Sequence, residues 1–190
     1  EKAAHVTSSN LTDYLGPVIY LETDLKARAE IGIVTGLAWT SVGGEMLPIE
    51  VSIIPNGSGK VEITGSLGDV MKESAHLALT YARVHAETYH IAPDKFKNTD
   101  IHIHAPEGAV PKDGPSAGIA IATAMLSALT GRAVRHDVAM TGEVTLRGRV
   151  LPIGGLREKT MAAYKYGMKQ VIIPAGNLPD LADRKSTRLN

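Results

Sequence analysis

The amino-acid sequence predicts an α/β or α+β fold with mixed sheets, three main helices and a short terminal helix. Segments with the two-residue period of strands alternate along the chain with segments of helical period, which is typical of helices packed on a mixed sheet. The length of 190 residues suits one domain. Hydrophobic residues make up 44% of the chain and aromatic residues 4%, so we expect a core of small aliphatic side chains.

The first part of the chain is predicted to form three strands and the longest helix. Glycine-rich turns separate the strands, and we expect an antiparallel meander of Ile31–Trp39, Met46–Ile54 and Lys60–Thr64. Apolar residues then recur near the helical period over Leu67–Tyr89. Ser66 and Asp69 resemble the capping pair that opens such a helix.

The second part of the chain is predicted to contain further strands and helices. Ala117–Leu129 has strong helical propensity, Pro115 fits the first helical position, and Gly131 fits the position just beyond the end. The other predicted helices are Gly155–Tyr166 and Leu178–Asp183. The predicted strands are Asp100–His104, Val138–Met140, Val144–Leu146, Val150–Ile153 and a buried strand, Gln170–Pro174.

Charge and composition exclude several classes of protein. Twenty basic residues balance twenty acidic ones, which argues against a nucleic-acid-binding module. The chain has no cysteine, so disulfide frameworks and cysteine-based sites are excluded and a reducing, cytoplasmic location is expected. The longest uncharged stretch, residues 114–131, is too polar and too rich in alanine for a membrane span.

Ser116 is the first candidate catalytic residue. It lies at a loop–helix junction in the segment Pro-Lys-Asp-Gly-Pro-Ser-Ala-Gly. The unpaired N–H groups and partial positive charge of a helix start can stabilise a developing oxyanion beside such a hydroxyl. A serine at this position can equally be a capping residue, so the segment needs a partner base to indicate catalysis.

Lys159 is the candidate base. None of the seven histidines lies in a recognisable catalytic context, whereas a desolvated lysine is neutral and can accept a proton from serine. On a helix that begins near Leu156, the inward face is defined by Leu156, Thr160 and Ala163, with Lys159 beside it. The alternative is a lysine that buries only its aliphatic stem.

Nucleotide and metal sites find little support in the sequence. Neither Gly59-Lys60 nor Lys159-Thr160 satisfies the spacing of a phosphate-binding loop. His102 and His104 would share one face of a strand, but no third ligand stands at a convincing spacing. We therefore expect no cofactor or metal in this domain.

Several segments in the same order resemble the proteolytic domain of bacterial Lon, an ATP-dependent protease. They include the Ser116 segment, Thr141-Gly-Glu-Val-Thr-Leu-Arg-Gly, and Leu-Pro-Ile-Gly-Gly-Leu-Arg-Glu-Lys159. The resemblance also covers Gly36-Leu-Ala-Trp-Thr40 and Asp100-Ile-His-Ile-His104. It implies a Lon-type fold and a serine endopeptidase that degrades misfolded and regulatory proteins.

The resemblance also implies roles for individual residues. Ser116 would be the nucleophile and Lys159 the general base of a Ser–Lys dyad. Thr141 would orient the lysine, and Asp113 would lie beside the dyad as a gate or charge partner. Trp39, His102 and His104 would lie in or near the groove that binds the peptide substrate.

The resemblance sets further expectations about organisation and partners. Residues 1–15 would link to an upstream ATPase module that requires ATP and Mg²⁺, residues 16–183 would form the proteolytic domain, and residues 184–190 would be a tail. Polypeptides would be the substrates and a six-membered homo-oligomeric ring the assembly, with neither membrane nor nucleic acid as partner. A non-catalytic assembly module, whose Ser–Lys pair is never aligned, is the competing hypothesis.

Overall fold

The computed structural model of the protein describes residues 5–7, 9–16, 28–40, 43–65, 67–106 and 112–181. The helices are α1 (Leu11–Leu15), α2 (Asp69–Val84), α3 (Gly118–Thr130) and α4 (Leu156–Lys165), and residues 178–181 are helical as well. Short 3₁₀ turns are formed by Pro93–Phe96, Pro115–Ala117 and Ala175–Asn177. The strands are β1 (Ile33–Thr40), β2 (Gly43–Pro55), β3 (Val61–Thr64), β4 (Thr99–His104), β5 (Val138–Met140), β6 (Glu143–Val144), β7 (Val150–Leu151) and β8 (Gln170–Ile172).

Six of the strands form one mixed sheet in the order β3-β4-β2-β1-β5-β8, and β6 and β7 form a separate antiparallel pair. Strand β2 is antiparallel to β1 and to β4, whereas β1–β5, β5–β8 and β3–β4 are parallel pairs. The predicted fold class, helices interleaved with a mixed sheet, is therefore confirmed.

Helices cover both faces of the sheet. Because successive strand residues point to opposite faces, Val34 and Leu37 of β1 lie on different sides. Val34 belongs to the large core built with α2 and α3, and Leu37 to a smaller cluster with Ala163 of α4. Three layers result, with the sheet in the middle.

The antiparallel meander expected for the first three strands is wrong in one respect. Strand β3 does not pair with β2, because β4 lies between them and pairs with both. The Asp100 carboxylate at the start of β4 accepts hydrogen bonds from the N–H groups of Ser58 and Lys60, each 2.8 Å long. These bonds hold the turn that follows β2 against β4, and α2 then provides the crossover that a parallel β3–β4 pair requires.

Three smaller expectations also need correction. Helix α2 ends at Val84, before the expected Tyr89. Strand β8 is not buried, since Gln170 and Ile172 are exposed at the sheet edge. The expected cap residue Ser66 lies outside the described residues, and Gly68 holds the capping position of α2.

The helix after Ser116 follows the prediction closely. The 3₁₀ turn Pro115–Ala117 continues into α3, and Gly131 ends the helix in the left-handed conformation with φ of 71°. Of the described helices, none is long and apolar enough to cross a membrane.

Candidate active site

Ser116 lies at the centre of the 3₁₀ turn that leads into α3. Gly114, with φ of 133°, provides the backbone conformation that turns the chain into this position. The Ser116 carbonyl accepts a 2.8 Å hydrogen bond from the N–H of Gly142 and one of 3.3 Å from the Thr141 hydroxyl. The segment after β5 thus holds the backbone of Ser116 in place.

Lys159 reaches Ser116 from the buried face of α4. That face consists of Leu156, Lys159, Ala162 and Ala163, so the lysine lies at its centre, whereas Thr160 is only partly buried. The Lys159 Nζ atom lies 2.8 Å from Ser116 Oγ and 3.2 Å from Thr141 Oγ1. The two candidates, 43 residues apart in sequence, are in hydrogen-bond contact.

Burial changes the acid–base chemistry of this lysine. Lys159 is 2% exposed, and desolvation lowers its pKa from 10.5 to about 8, because a charged amine is less stable away from water. Its amine contacts the hydroxyl groups of Ser116 and Thr141. A hydroxyl can accept a hydrogen bond from an ammonium group or donate one to a neutral amine. Near neutral pH the group can therefore exchange a proton with Ser116.

A cavity of about 520 Å³ opens beside Ser116 and Lys159. Its lining combines apolar side chains such as Leu37 and Met71 with the charged groups Lys112 and Glu143. A cleft that holds a serine hydroxyl, a buried amine and apolar walls could accommodate an extended peptide.

Asp113 lines the cavity, but its carboxylate is engaged by the backbone. Asp113 Oδ1 accepts hydrogen bonds from the N–H groups of Met71, at 3.1 Å, and Gly114, at 2.9 Å. Met71 is in the first turn of α2, where N–H groups lack helical partners, so Asp113 caps α2 from another part of the chain. Its action as a gate or charge partner of the dyad stays a prediction.

The three residues predicted for the substrate groove lie in two places. Trp39 lines the cavity, and its ring packs against the backbone of Gly155, just before α4. His102 and His104 do not line this cavity. Both hydrogen-bond the hydroxyl of Thr64, with distances of 2.9 Å and 2.7 Å to their ring nitrogens.

The described residues show no group of three or more His, Asp or Glu side chains that could hold a metal ion.

Comparison with known proteins identifies the family. Residues 5–187 match the Lon protease (S16) C-terminal proteolytic domain. The chain belongs to this family. It is 57% identical over 178 residues to the Lon protease of Lachnoclostridium phytofermentans, covering 94% of this chain and 22% of that protein. It is 55% identical over 182 residues to Lon protease 1 of Bacillus subtilis, covering 96% of this chain and 23% of that protein.

The resemblance to Lon noted in the sequence is thereby confirmed, and membership of the family supports a protease function. The chain spans between a fifth and a quarter of the length of these relatives.

Sequence reasoning missed two charged residues near Ser116 and Lys159. Lys112 is buried, and its Nζ lies 3.8 Å from Oε2 of Glu45 at the start of β2. Lys112 belongs to the same segment as Ser116, which was the available signal. Glu45 carries no signal in the sequence, because only the pairing of β2 with β1 places it near the Ser116 segment.

Proposed function

We propose that this domain is a serine endopeptidase with Ser116 as nucleophile and Lys159 as general base. The observation that carries the proposal is the 2.8 Å contact between Lys159 Nζ and Ser116 Oγ, together with the burial of the lysine. A hydroxyl is a weak nucleophile until a neighbouring base accepts its proton. Lys159, with a pKa of about 8, can supply that base close to neutral pH.

The proposed reaction is acyl transfer to serine followed by hydrolysis. Ser116 Oγ attacks the peptide carbonyl while its proton passes to Lys159 Nζ, and N–H groups at the start of the 3₁₀ turn stabilise the oxyanion. The C–N bond breaks as the lysine returns the proton to the leaving amine. Water, deprotonated by the same lysine, then attacks the ester. The C–O bond to Ser116 breaks, the lysine returns the proton to Ser116 Oγ, and the carboxylic acid product is released.

Thr141 supports both members of the proposed dyad. Its hydroxyl accepts a hydrogen bond from Lys159 Nζ and donates one to the Ser116 carbonyl. Since a side chain with a single favoured position loses less freedom on reaction, Thr141 would orient the lysine toward Ser116. The competing hypothesis is a non-catalytic assembly module. Such a module does not require a buried lysine beside Ser116, whereas a catalytic dyad does.

The proposal extends to the full-length protein and its assembly. We infer that ATP and Mg²⁺ act on a different part of the full-length protease, and that polypeptides reach this domain within a homo-hexameric ring. A cytoplasmic location is consistent with the absence of cysteine from the sequence.

Covalent labelling together with peptide hydrolysis tests the proposal. The parent chain should hydrolyse an unstructured protein without ATP and react with a fluorophosphonate at Ser116. Ser116→Ala should abolish both activities and retain the parent Tm, because alanine is a good helix former. Ser52→Ala, at an exposed serine of β2, is the matched control and should behave as the parent does. Hydrolysis by Ser116→Ala at the parent rate would reject Ser116 as nucleophile.

A further inference from the structure

The start of β2 lies between the elements that carry Ser116 and Lys159. Gly44 and Glu45 are neighbours in an extended strand, so their side-chain directions point to opposite faces of the sheet. One direction leads to α4, which carries Lys159, and the other to Lys112, four residues before Ser116.

Gly44 is in close contact with the backbone of α4. A Cβ atom added to Gly44 would lie 2.1 Å from the carbonyl oxygen of Glu158 and 2.9 Å from the nitrogen of Lys159. Real Cβ atoms essentially never approach backbone atoms so closely, and a helix backbone cannot rotate away as a side chain can. Any larger residue at position 44 must therefore displace α4 at the position of Lys159.

Glu45 contacts the nucleophile segment instead. Its carboxylate lies 3.8 Å from Nζ of Lys112, and the two side chains are 33% and 7% exposed. The Lys112 carbonyl accepts a 2.9 Å hydrogen bond from the N–H of Gly68. An ion pair between a nearly buried lysine and a strand residue restrains the segment that ends at Ser116.

We propose that the start of β2 is a positioning element that fixes the separation of Ser116 and Lys159. Gly44 sets the position of α4 through the close backbone contact. Glu45 sets the position of the Ser116 segment through its ion pair with Lys112. The inference rests on the proposed function, but part of its test is independent of activity.

Gly44→Ala tests the contact with α4, and Gly57→Ala is the matched control. Gly57 lies two residues beyond the other end of β2. There an added Cβ would meet the backbone nitrogen of Asp100 at 2.2 Å, so both variants create a backbone collision. The readouts are Tm, kcat/KM for an unstructured peptide at pH 8, and titration of the Lys159 13Cε resonance in lysine-labelled protein.

Gly44→Ala should lower kcat/KM about 100-fold, the scale of a misplacement near 1 Å. It should also raise the pKa of Lys159 from about 8 toward 10.5, because a displaced helix admits water to the amine. Gly57→Ala should lower Tm but leave kcat/KM and the Lys159 titration as in the parent. If Gly44→Ala retains the parent kcat/KM and Lys159 titration, the inference is wrong.

Glu45→Gln keeps the volume of the side chain and tests the second contact even if Gly44→Ala does not fold. It should lower kcat about tenfold with KM unchanged. The double variant Glu45→Gln/Lys112→Met should show a decrease in kcat no larger than that of either single variant. Glu62→Gln, at an exposed residue of β3, is the control and should retain the parent kcat. A parent-like kcat in Glu45→Gln, or additive losses in the double variant, would overturn the role of the pair.

The two proposals fail in different ways. If the parent chain neither hydrolyses peptide nor reacts with fluorophosphonate, the proposed function is wrong. The Lys159 titrations in Gly44→Ala and Gly57→Ala still decide whether Gly44 positions α4.

Discussion

The two ends of β2 are built on the same structural constraint but serve different parts of the molecule. Gly44 at one end and Gly57 just beyond the other each leave no space for a Cβ atom, because neighbouring backbone lies within 2.2 Å of that position. At the first end the neighbour is α4, which carries Lys159. At the second it is Asp100, the second residue of β4.

The charged groups at the two ends are in opposite situations. Burial disfavours the ammonium form of Lys159 and lowers its pKa to about 8. The pKa of Asp100 is also lowered, but for the opposite reason: the N–H groups of Lys60 and Ser58 stabilise its charged carboxylate. At the first end the fold opposes the charged form of a side chain, and at the second it supports it.

This difference separates a group that is available for chemistry from one that stabilises the fold. A group held against its preferred charge state can exchange a proton near neutral pH, whereas a carboxylate stabilised by backbone N–H groups only anchors a turn. Changes to Lys159 should therefore affect activity more than stability, and changes to Asp100 the reverse.

The largest effect is expected for Lys159→Arg. A guanidinium stays charged and cannot accept the proton of Ser116, so kcat/KM should fall about 1000-fold, the scale of general-base catalysis. Lys165→Arg, on the exposed side of α4, is the control and should match the parent in a peptide hydrolysis assay. If Lys159→Arg keeps most of the parent activity, another base must act.

The pH dependence of kcat/KM in the parent protein also tests whether Lys159 is the base. Because the pKa of Lys159 is about 8 and the proposed base is the neutral amine, kcat/KM should rise with pH and level off above about 8. Below that value it should fall about tenfold per pH unit. A pH-rate profile from 5 to 10 measures this, and an acid limb centred near 6.5 would indicate histidine rather than lysine.

A smaller effect is expected for Thr141→Val, which keeps the side-chain shape and removes the hydroxyl. The loss of the 3.2 Å contact with Lys159 Nζ should lower kcat about tenfold, equal to roughly 1.4 kcal/mol. Steady-state kinetics measures the change. Thr130→Val, at the far end of α3, is the control, and an equal loss of kcat there would argue against a specific role for Thr141.

The smallest effect on activity is expected for Asp100→Asn at the second end of β2. Since the pKa of Asp100 is lowered from 3.8 by backbone hydrogen bonds, its carboxylate stabilises the fold above that pH. This stabilisation is lost as the pH falls through the folded-state pKa. Asp100→Asn should lower Tm by a few degrees at pH 7 and leave kcat unchanged, and the two Tm values should converge in acid. A fall in kcat with Tm unchanged would show that Asp100 contributes to activity rather than to stability.

The elements around Ser116 follow from local signals in the amino-acid sequence. Proline at the start, small helix-forming residues and Gly131 at the end are local signals, and α3 follows them closely. The burial of Lys159 also follows from local pattern, since it is the buried basic residue among those of α4. The resemblance to Lon depended on the same short segments.

How these elements meet depends on contacts between distant parts of the chain. The insertion of β4 between β2 and β3 leaves no trace in a two-residue period, because alternation shows which face is buried but not which strand is adjacent. Likewise, the close approach of Gly44 to α4 and the pairing of Glu45 with Lys112 join residues distant in sequence. The pKa of Lys159 depends on these contacts, since desolvation is produced by whatever part of the chain the fold packs around the amine.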